Sequence, residues 1–200
     1  MTLQRVQRAL AIFVGLFVLY TAATGPFEGL IQRALFLALV TCLGFALFPL
    51  GAGKPWRPAG LAVDLALCAV SVAACGYVVV NYDAIMTTLP WATALDKALT
   101  VGLVLAVLEL GRRTVGLIFP VLVMLGLGYA LFGNYLPGPL RHRGFDTAFV
   151  TETIFLGDLG IWGMLTGVAA TVIAAFVLFG ALLLHTGGGQ AFMDLAMRLG

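Results

Sequence analysis

The sequence predicts an all-α, polytopic transmembrane helical protein, and two observations support this prediction. Of the 200 residues, 62% are hydrophobic and only 10% are charged, and the mean hydropathy is +1.07. A typical soluble domain is about 45–50% apolar and about 25% charged. The apolar residues are also grouped into blocks close to the ~20 residues that a helix needs to cross the hydrocarbon core of a bilayer. The lipid bilayer is therefore the first partner that the composition indicates.

About six blocks are predicted to span the membrane, with an uncleaved first helix: residues 9–23, 29–50, 60–82, 91–110, 115–132 and 161–184. Glycine, proline, lysine and tryptophan in the segment 51–58 predict an interfacial loop. The segments 145–155 and 192–199 are amphipathic but too short to cross, which predicts two helices lying in the membrane interface. An ordinary loop and a frayed end are the alternatives for these two segments.

The basic residues predict the orientation of the chain. Positively charged residues accumulate in cytoplasmic loops. One set of loops contains Arg5, Arg8, Lys54, Arg57, Arg112, Arg113 and Arg198, whereas the opposite set contains Arg33, Lys97, Arg141 and Arg143. This imbalance favours a cytoplasmic N-terminus. The net charge of +2 is not concentrated in a basic patch, so no nucleic-acid partner is expected.

Motifs that carry enzymatic chemistry are not evident. The histidines and the three cysteines are scattered, the glycines match no phosphate-binding loop, and no serine nucleophile motif is present. Cys68 and Cys75 share a helical face, but two positions two turns apart on one helix cannot form a disulfide. We therefore expect neither an enzyme, nor a metal site, nor a bound cofactor.

Two groups of charged residues are candidates for structural or functional roles. Asp64 is predicted in the opening turn of its helix, near Lys54 and Arg57, where a carboxylate complements the helix dipole. A role in transport or ion coupling is the alternative, because ionisable residues within membrane segments are often functional. Glu109 precedes Arg112 and Arg113 by three and four residues, so the three side chains are expected to meet on one helical turn. They would pin the end of the fourth helix or dock it against a neighbouring module.

Proline and glycine mark three further positions. Pro120 lies inside the predicted fifth span and is expected to kink it. Gly163 and Gly167 form a small-xxx-small pair that lets another helix approach closely. Gly187, Gly188 and Gly189 predict a break after the sixth span, either a hinge or a simple turn.

The longest predicted polar loop contains a third group of basic residues. Arg141 and Arg143 flank His142, which their repulsion is expected to keep neutral and solvated. In the predicted orientation this loop faces the periplasm.

Three sequence blocks carry a family resemblance. They are LELGRRTVG at 108–116, GYALFGNYLPG at 128–138, and the glycine-rich stretches at 160–163, 179–183 and 186–196. Together they resemble the fused permeases of tripartite ATP-independent periplasmic (TRAP) transporters, in particular the TAXI subgroup. The resemblance extends over the whole chain and is sharpest from Leu108 onward. Around Leu184 and Gln190 many relatives have acidic residues, and this chain departs from that pattern.

The resemblance implies a multi-pass protein of the bacterial inner membrane that imports small organic acids or amino acids. A periplasmic solute-binding protein would deliver the organic anion, and an ion gradient, usually of sodium, would drive uptake. Residues 1–114 would form a four-helix small-permease module, 115–159 a linking helix with a periplasmic loop, and 160–200 the start of the large transport module. The substrate and sodium sites are expected beyond Gly200.

Arg141 and Arg143 would lie where the binding protein docks. Two other functions remain open at this point. One is a stand-alone, non-catalytic membrane scaffold or anchor. The other is a membrane enzyme acting on lipids through Asp64 or His142.

Overall fold

The computed structural model describes residues 2–51, 53, 57–88 and 91–199, and this part of the chain consists of helices, turns and loops without any strand. The α-helices are α1 Thr2–Thr24, α2 Gly29–Leu47, α3 Arg57–Val80, α4 Tyr82–Thr87, α5 Ala94–Thr114, α6 Ile118–Phe132, α7 Thr147–Thr151, α8 Met164–Val168, α9 Ala174–His185 and α10 Gly188–Leu199. The π-helical segment Glu152–Leu156 extends α7, and another, Ala169–Ile173, joins α8 to α9. The predicted all-α fold is confirmed.

Within the described residues, five helices are long and apolar enough to cross a membrane, so the chain is a multi-pass membrane protein. They are Gln4–Thr24, Gly29–Leu47, Arg57–Val80, Ile118–Tyr135 and Met164–His185. The predicted fourth span corresponds to α5, which is not among them because Asp96 and Lys97 at one end and Glu109 at the other confine its uncharged stretch to 98–108. That stretch is about 16 Å long, roughly half of the hydrocarbon thickness.

One face of helix α5 is nevertheless covered by protein. The helix packs against α2, α3, α6 and α7, and Leu103 and Ala106 are fully buried, whereas Val101 and Leu105 are more than half exposed. It runs antiparallel to α3, because Arg113 in its last turn contacts Asp64 in the first half of α3. The charged residue Asp96 lies on the protein-covered face, where ionisable residues of membrane helices are tolerated.

Glycines bring the central helices close together. A Cβ atom on Gly44 of α2 would lie 2.7 Å from Cδ2 of Leu110 on α5, and one on Gly102 of α5 would lie 2.4 Å from Cγ1 of Val70 on α3. Such distances are shorter than van der Waals contact. Small residues are thus required where α5 enters between α2 and α3.

The segment around Phe155 and Trp162 packs on the end of this bundle where α2 begins. Phe155 and Trp162 are fully buried, in a core that includes Ala74, Val78 and Leu103. The indole Nε1 of Trp162 donates to the carbonyl oxygen of Phe155 at 2.7 Å. The amphipathic segment predicted at 145–155 is a helix, Thr147–Leu156, but its last residues pack into the protein core. The amphipathic pattern therefore reflects contact with protein as well as with the membrane interface.

The connection between α5 and α6 corrects the prediction for Pro120. The backbone N–H groups of Val115 and Gly116 both donate to the carbonyl oxygen of Gly111, at 2.8 and 3.2 Å, and Gly116 has a φ of 105°. Helix α6 begins only at Ile118, so Pro120 lies in its first turn. First-turn N–H groups have no intrahelical acceptor, and proline is tolerated there. The expected kink within a span is wrong at this position.

The triple glycine forms a turn. Gly187 has a φ of 75°, which favours glycine, and it separates α9 from α10. Gly188 and Gly189 already belong to the first turn of α10. The predicted amphipathic segment 192–199 lies within this helix, and its depth in the membrane stays a prediction.

Oxidative cross-linking tests the packing of α2 on α3. The Sγ atoms of Cys42 and Cys68 are 2.9 Å apart. Copper phenanthroline added to membranes should therefore join these two thiols and leave Cys75 as the thiol that can still be alkylated, as measured by peptide mass spectrometry. In the control variant Cys68→Ser, Cys42 should stay alkylatable. If Cys42 and Cys68 remain fully alkylated in the oxidised wild type, this packing is wrong.

Candidate functional site

Four of the predicted residues come together at one end of the bundle, and we call this group, Asp64, Glu109, Arg112 and Arg113, the charge clamp. Arg113 is its centre. Its Nη1 atom lies 2.6 Å from Oδ1 of Asp64, and its Nε atom lies 2.8 Å from Oε1 of Glu109. The side chains of Arg113 and Asp64 are each 6% exposed. The clamp thus contains a buried ion pair between α3 and α5.

The clamp also holds the end of α2. Arg113 Nη1 donates to the carbonyl oxygen of Phe48 at 2.9 Å, and the N–H of Leu50 donates to Oδ2 of Asp64 at 2.9 Å. The guanidinium of Arg113 lies over the ring of Phe45, 5.2 Å from its centroid. The ends of α2, α3 and α5 are therefore tied together through two side chains.

The expected location of Asp64 near the helix start is wrong. Helix α3 begins at Arg57, so Asp64 is about two turns inside it, too far from the first turn to interact with the helix dipole. Its partner is Arg113, 49 positions later. Of the two neighbours expected for Asp64, Arg57 forms no salt bridge with it. Lys54 and much of the predicted loop 51–58 lie outside the described residues.

The predicted meeting of Glu109 with Arg112 and Arg113 is confirmed. Arg112 binds Glu109 through two hydrogen bonds of 2.8 Å, from Nε to Oε2 and from Nη2 to Oε1. Arg112 is on the rim, with 43% of its side chain exposed. Because both carboxylates of the clamp already bind arginine, the geometry favours a structural role for Asp64 over ion coupling.

His142 organises the loop after α6. Its Nδ1 atom accepts from the N–H of Gly144 at 3.0 Å, so the proton belongs on Nε2, which is 2.8 Å from the carbonyl oxygen of Tyr129. This is the bonding pattern of a neutral imidazole. The ring is half-buried against Tyr129 and Phe145, so the expectation of a solvated histidine is wrong. Arg141 and Arg143 on either side are exposed.

Two polar residues of α2 were not singled out from the sequence. Gln32, 2% exposed, donates from Nε2 to the carbonyl oxygen of Ala170 at 3.2 Å. Arg33 donates from Nη1 to the carbonyl oxygen of Trp162. Both bonds attach α2 to the second half of the chain, across more than 120 positions. The only sequence signal was a polar pair, Gln-Arg, within the first turns of a membrane helix.

The small-xxx-small pair has two separate roles. A Cβ atom on Gly167 would lie 2.9 Å from Nε of Arg33, so this glycine faces α2 as expected. A Cβ atom on Gly163 would instead lie 2.8 Å from the carbonyl oxygen of Leu159. Gly163 therefore permits the local turn before α8.

Two further hydrogen bonds join neighbouring segments at the end of the bundle where α2 begins. Tyr82 donates from its hydroxyl to Oε2 of Glu28 at 3.3 Å, and desolvation together with the Glu28 carboxylate raises the pKa of this phenol. Glu152 accepts from the N–H of Ala92 at 3.0 Å, just before α5. Within the described ranges, no three His, Cys, Asp or Glu side chains converge as a metal-binding group.

The fold defines the class of the protein: an all-α, multi-pass helical membrane protein with an internal buried ion pair. Compared with family models, with curated proteins and with solved structures, the chain matches none. The resemblance to TRAP permeases therefore stays a prediction from the sequence blocks.

The charge clamp predicts unequal effects for its two arginines. Arg113→Gln leaves Asp64 buried without a counter-ion, which costs about 3–5 kcal/mol for a pair of this kind. Arg112→Gln removes an exposed pair worth about 0–1 kcal/mol. Chemical unfolding in detergent, followed by circular dichroism, should separate the two variants clearly.

A second substitution checks the cause of this difference. Asp64→Asn should recover part of the stability that Arg113→Gln removes, because it eliminates the uncompensated charge. Equal destabilisation by both arginine variants, or no recovery in the double variant, would contradict the buried pair.

A glycine substitution tests the loop held by His142. A Cβ atom on Gly133 would lie 1.8 Å from Nε2 of His142, so Gly133→Ala should displace the imidazole and release both of its backbone bonds. Trypsin should then cleave at Arg141 and Arg143 faster than in the wild type, as followed by mass spectrometry. Gly128→Ala is the matched control, since its Cβ meets open space. Equal cleavage of both variants would refute the role of His142.

Proposed function

We propose that this chain is a permease component of a secondary active transporter of the tripartite type. It takes small organic acids or amino acids from a periplasmic solute-binding protein and uses an ion gradient, with sodium as the expected coupling ion. It lies in the bacterial inner membrane with a cytoplasmic N-terminus. The sequence blocks at 108–116 and 128–138 are the origin of this proposal.

One structural observation supports the proposal: some helices bury many side chains against each other, and others bury none. Helices α2, α3 and α5 share buried residues and the charge clamp. In contrast, α6 and α9 contain no buried residue. Transporters commonly move one rigid bundle against another. In our proposal the packed unit is the static anchor, and Met164–His185 belongs to the part that moves.

The contacts between the two parts are mostly apolar, with one side-chain hydrogen bond from α2 to Met164–His185. Met164–His185 packs on α1 and α2, and its polar link to α2 is the bond from Gln32 to Ala170. The carbonyl of Ala170 lies in the π-helical segment, a feature often found at functional sites in helices. This contact is the boundary across which we expect relative movement.

The size of the native polypeptide is the first test. An antibody against residues 133–146 should detect, in membranes of the source bacterium, a band several times larger than 21.1 kDa, because the proposed transport module extends beyond these helices. A band at 21.1 kDa would favour the alternative, a stand-alone scaffold or anchor subunit.

Uptake measurements test the proposed docking loop. Arg141 and Arg143 are exposed in the loop ordered by His142, and opposite charges across a docking surface mainly raise the association rate. In cells producing the complete transporter, replacing both arginines with glutamate should lower uptake at limiting binding protein and leave it near normal at saturation. Replacing both with lysine is the control and should preserve uptake.

Two results would contradict different parts of the proposal. Unchanged uptake in the glutamate variant would remove the loop from the docking surface. Uptake that is independent of any ion gradient, or of the binding protein, would contradict the transporter class itself.

A further inference from the structure

A cavity of about 700 Å³ lies at the end of the bundle opposite the charge clamp, between the start of α2 and the helix Met164–His185. Its lining combines apolar side chains, such as Phe27, Leu159 and Met164, with Gly167 and the polar residues Gln32, Arg33, Asp158 and Thr171. Neither the clamp nor the loop of His142 contributes to it. The cavity is wide enough to hold a small polar group.

Arg33 is the cation of this cavity, and it lacks a counter-ion. Within the part of the chain that the structure describes, every salt bridge belongs to the charge clamp. The guanidinium has five N–H donors, and the acceptor that the described residues offer is the carbonyl oxygen of Trp162, bonded to Nη1. The positive charge is therefore only partly satisfied by the protein.

The position of the guanidinium differs from that of an ordinary interfacial arginine. Such residues extend toward water and keep their charge solvated. Arg33 is half-buried and lies against Gly167, where a Cβ atom would be 2.9 Å from Nε and 3.1 Å from Nη2. The absence of a side chain at Gly167 keeps these donors beside the cavity. A planar guanidinium held in this way is suited to bind a carboxylate or a phosphate.

Asp158 limits what such a ligand can be. It is exposed and lines the same cavity, without being within salt-bridge distance of Arg33. A ligand with several negative charges would be repelled by this carboxylate. A ligand with one negative group and a nearby ammonium group would satisfy both residues.

We propose that this cavity binds a single oxyanion group, a phosphate or a carboxylate, against Arg33, with a neighbouring ammonium group toward Asp158. Two sources share this chemistry: the ethanolamine phosphodiester headgroup of a membrane lipid, and a free zwitterion such as glycerophosphoethanolamine or an amino acid. Arg33 lies in the second turn of α2, at the depth where a span meets the headgroups. The site does not depend on the transport function proposed above.

Ligand binding to the native protein, purified from membranes in detergent, tests the site. The probes are phosphatidylethanolamine and phosphatidylglycerol with identical acyl chains, counted as retained lipids by native mass spectrometry. Wild-type protein should retain phosphatidylethanolamine preferentially. Arg33→Gln should weaken its binding by about tenfold, the order expected for a lost charge-assisted hydrogen bond. Arg8→Gln, which removes an exposed arginine at the opposite end, should retain wild-type binding.

Two further variants distinguish a loss of the site from misfolding of the protein. Asp158→Asn alters an exposed residue and should raise phosphatidylglycerol binding relative to phosphatidylethanolamine. Gly167→Ala should weaken both, because the added methyl group displaces the guanidinium. Equal retention of the two lipids by wild type, or wild-type retention by Arg33→Gln, would overturn the proposal if glycerophosphoethanolamine also fails to bind.

Titration calorimetry with glycerophosphoethanolamine, which carries one phosphodiester charge and one ammonium group, identifies the source of the ligand. Binding of this free zwitterion that Arg33→Gln abolishes would assign the cavity to a soluble ligand. Lipid retention without such binding would assign it to a lipid headgroup. If wild type shows no Arg33-dependent binding of either probe, the cavity is not an oxyanion site.

Discussion

The buried ion pair between Asp64 and Arg113 is the constraint on which the arrangement of the central helices depends. An uncompensated charge in a membrane protein is expensive, so the two residues must meet although they are 49 positions apart. Their contact sets the relative height of α3 and α5 and makes them antiparallel. Once that register is set, Gly102 faces Val70 and Gly44 faces Leu110, and the close approach of the backbones follows.

The two ends of the bundle are held by different forces. At the clamp, charged side chains bind each other and the backbone of α2. At the opposite end, cohesion comes from apolar packing around Phe155 and Trp162, with Gln32 and Arg33 bonding to backbone carbonyls. The segment 147–173 is attached at that end, and the clamp is formed by residues of α3 and α5. This arrangement suits our functional proposal, in which α2, α3 and α5 form a static anchor and Met164–His185 belongs to the part that moves.

Much of the fold follows from local sequence patterns, and the exceptions have a common cause. Apolar length predicts about six spans, of which five reappear as long apolar helices, and three- and four-residue spacing predicts the contacts of Glu109, because these depend on neighbours in the chain. Other features depend on helices that meet only after folding. They are the partner of Asp64, the hydrogen bonds of Gln32 and Arg33, and the burial of Phe155. Pro120 shows a subtler limit: whether it kinks a helix or begins one was decided by the turn at Gly116.

The burial of Trp162 gives the protein an internal optical reporter. Of the three tryptophans, Trp162 is fully enclosed and Trp91 is 84% exposed, so these two indoles are expected to differ in emission wavelength and in access to a quencher. Trp162 lies in the core shared with α2, α3 and α5. A blue-shifted emission from this indole would therefore indicate that the segment around Trp162 is packed against these three helices. Any rearrangement that separates them would expose this indole and be visible without a label.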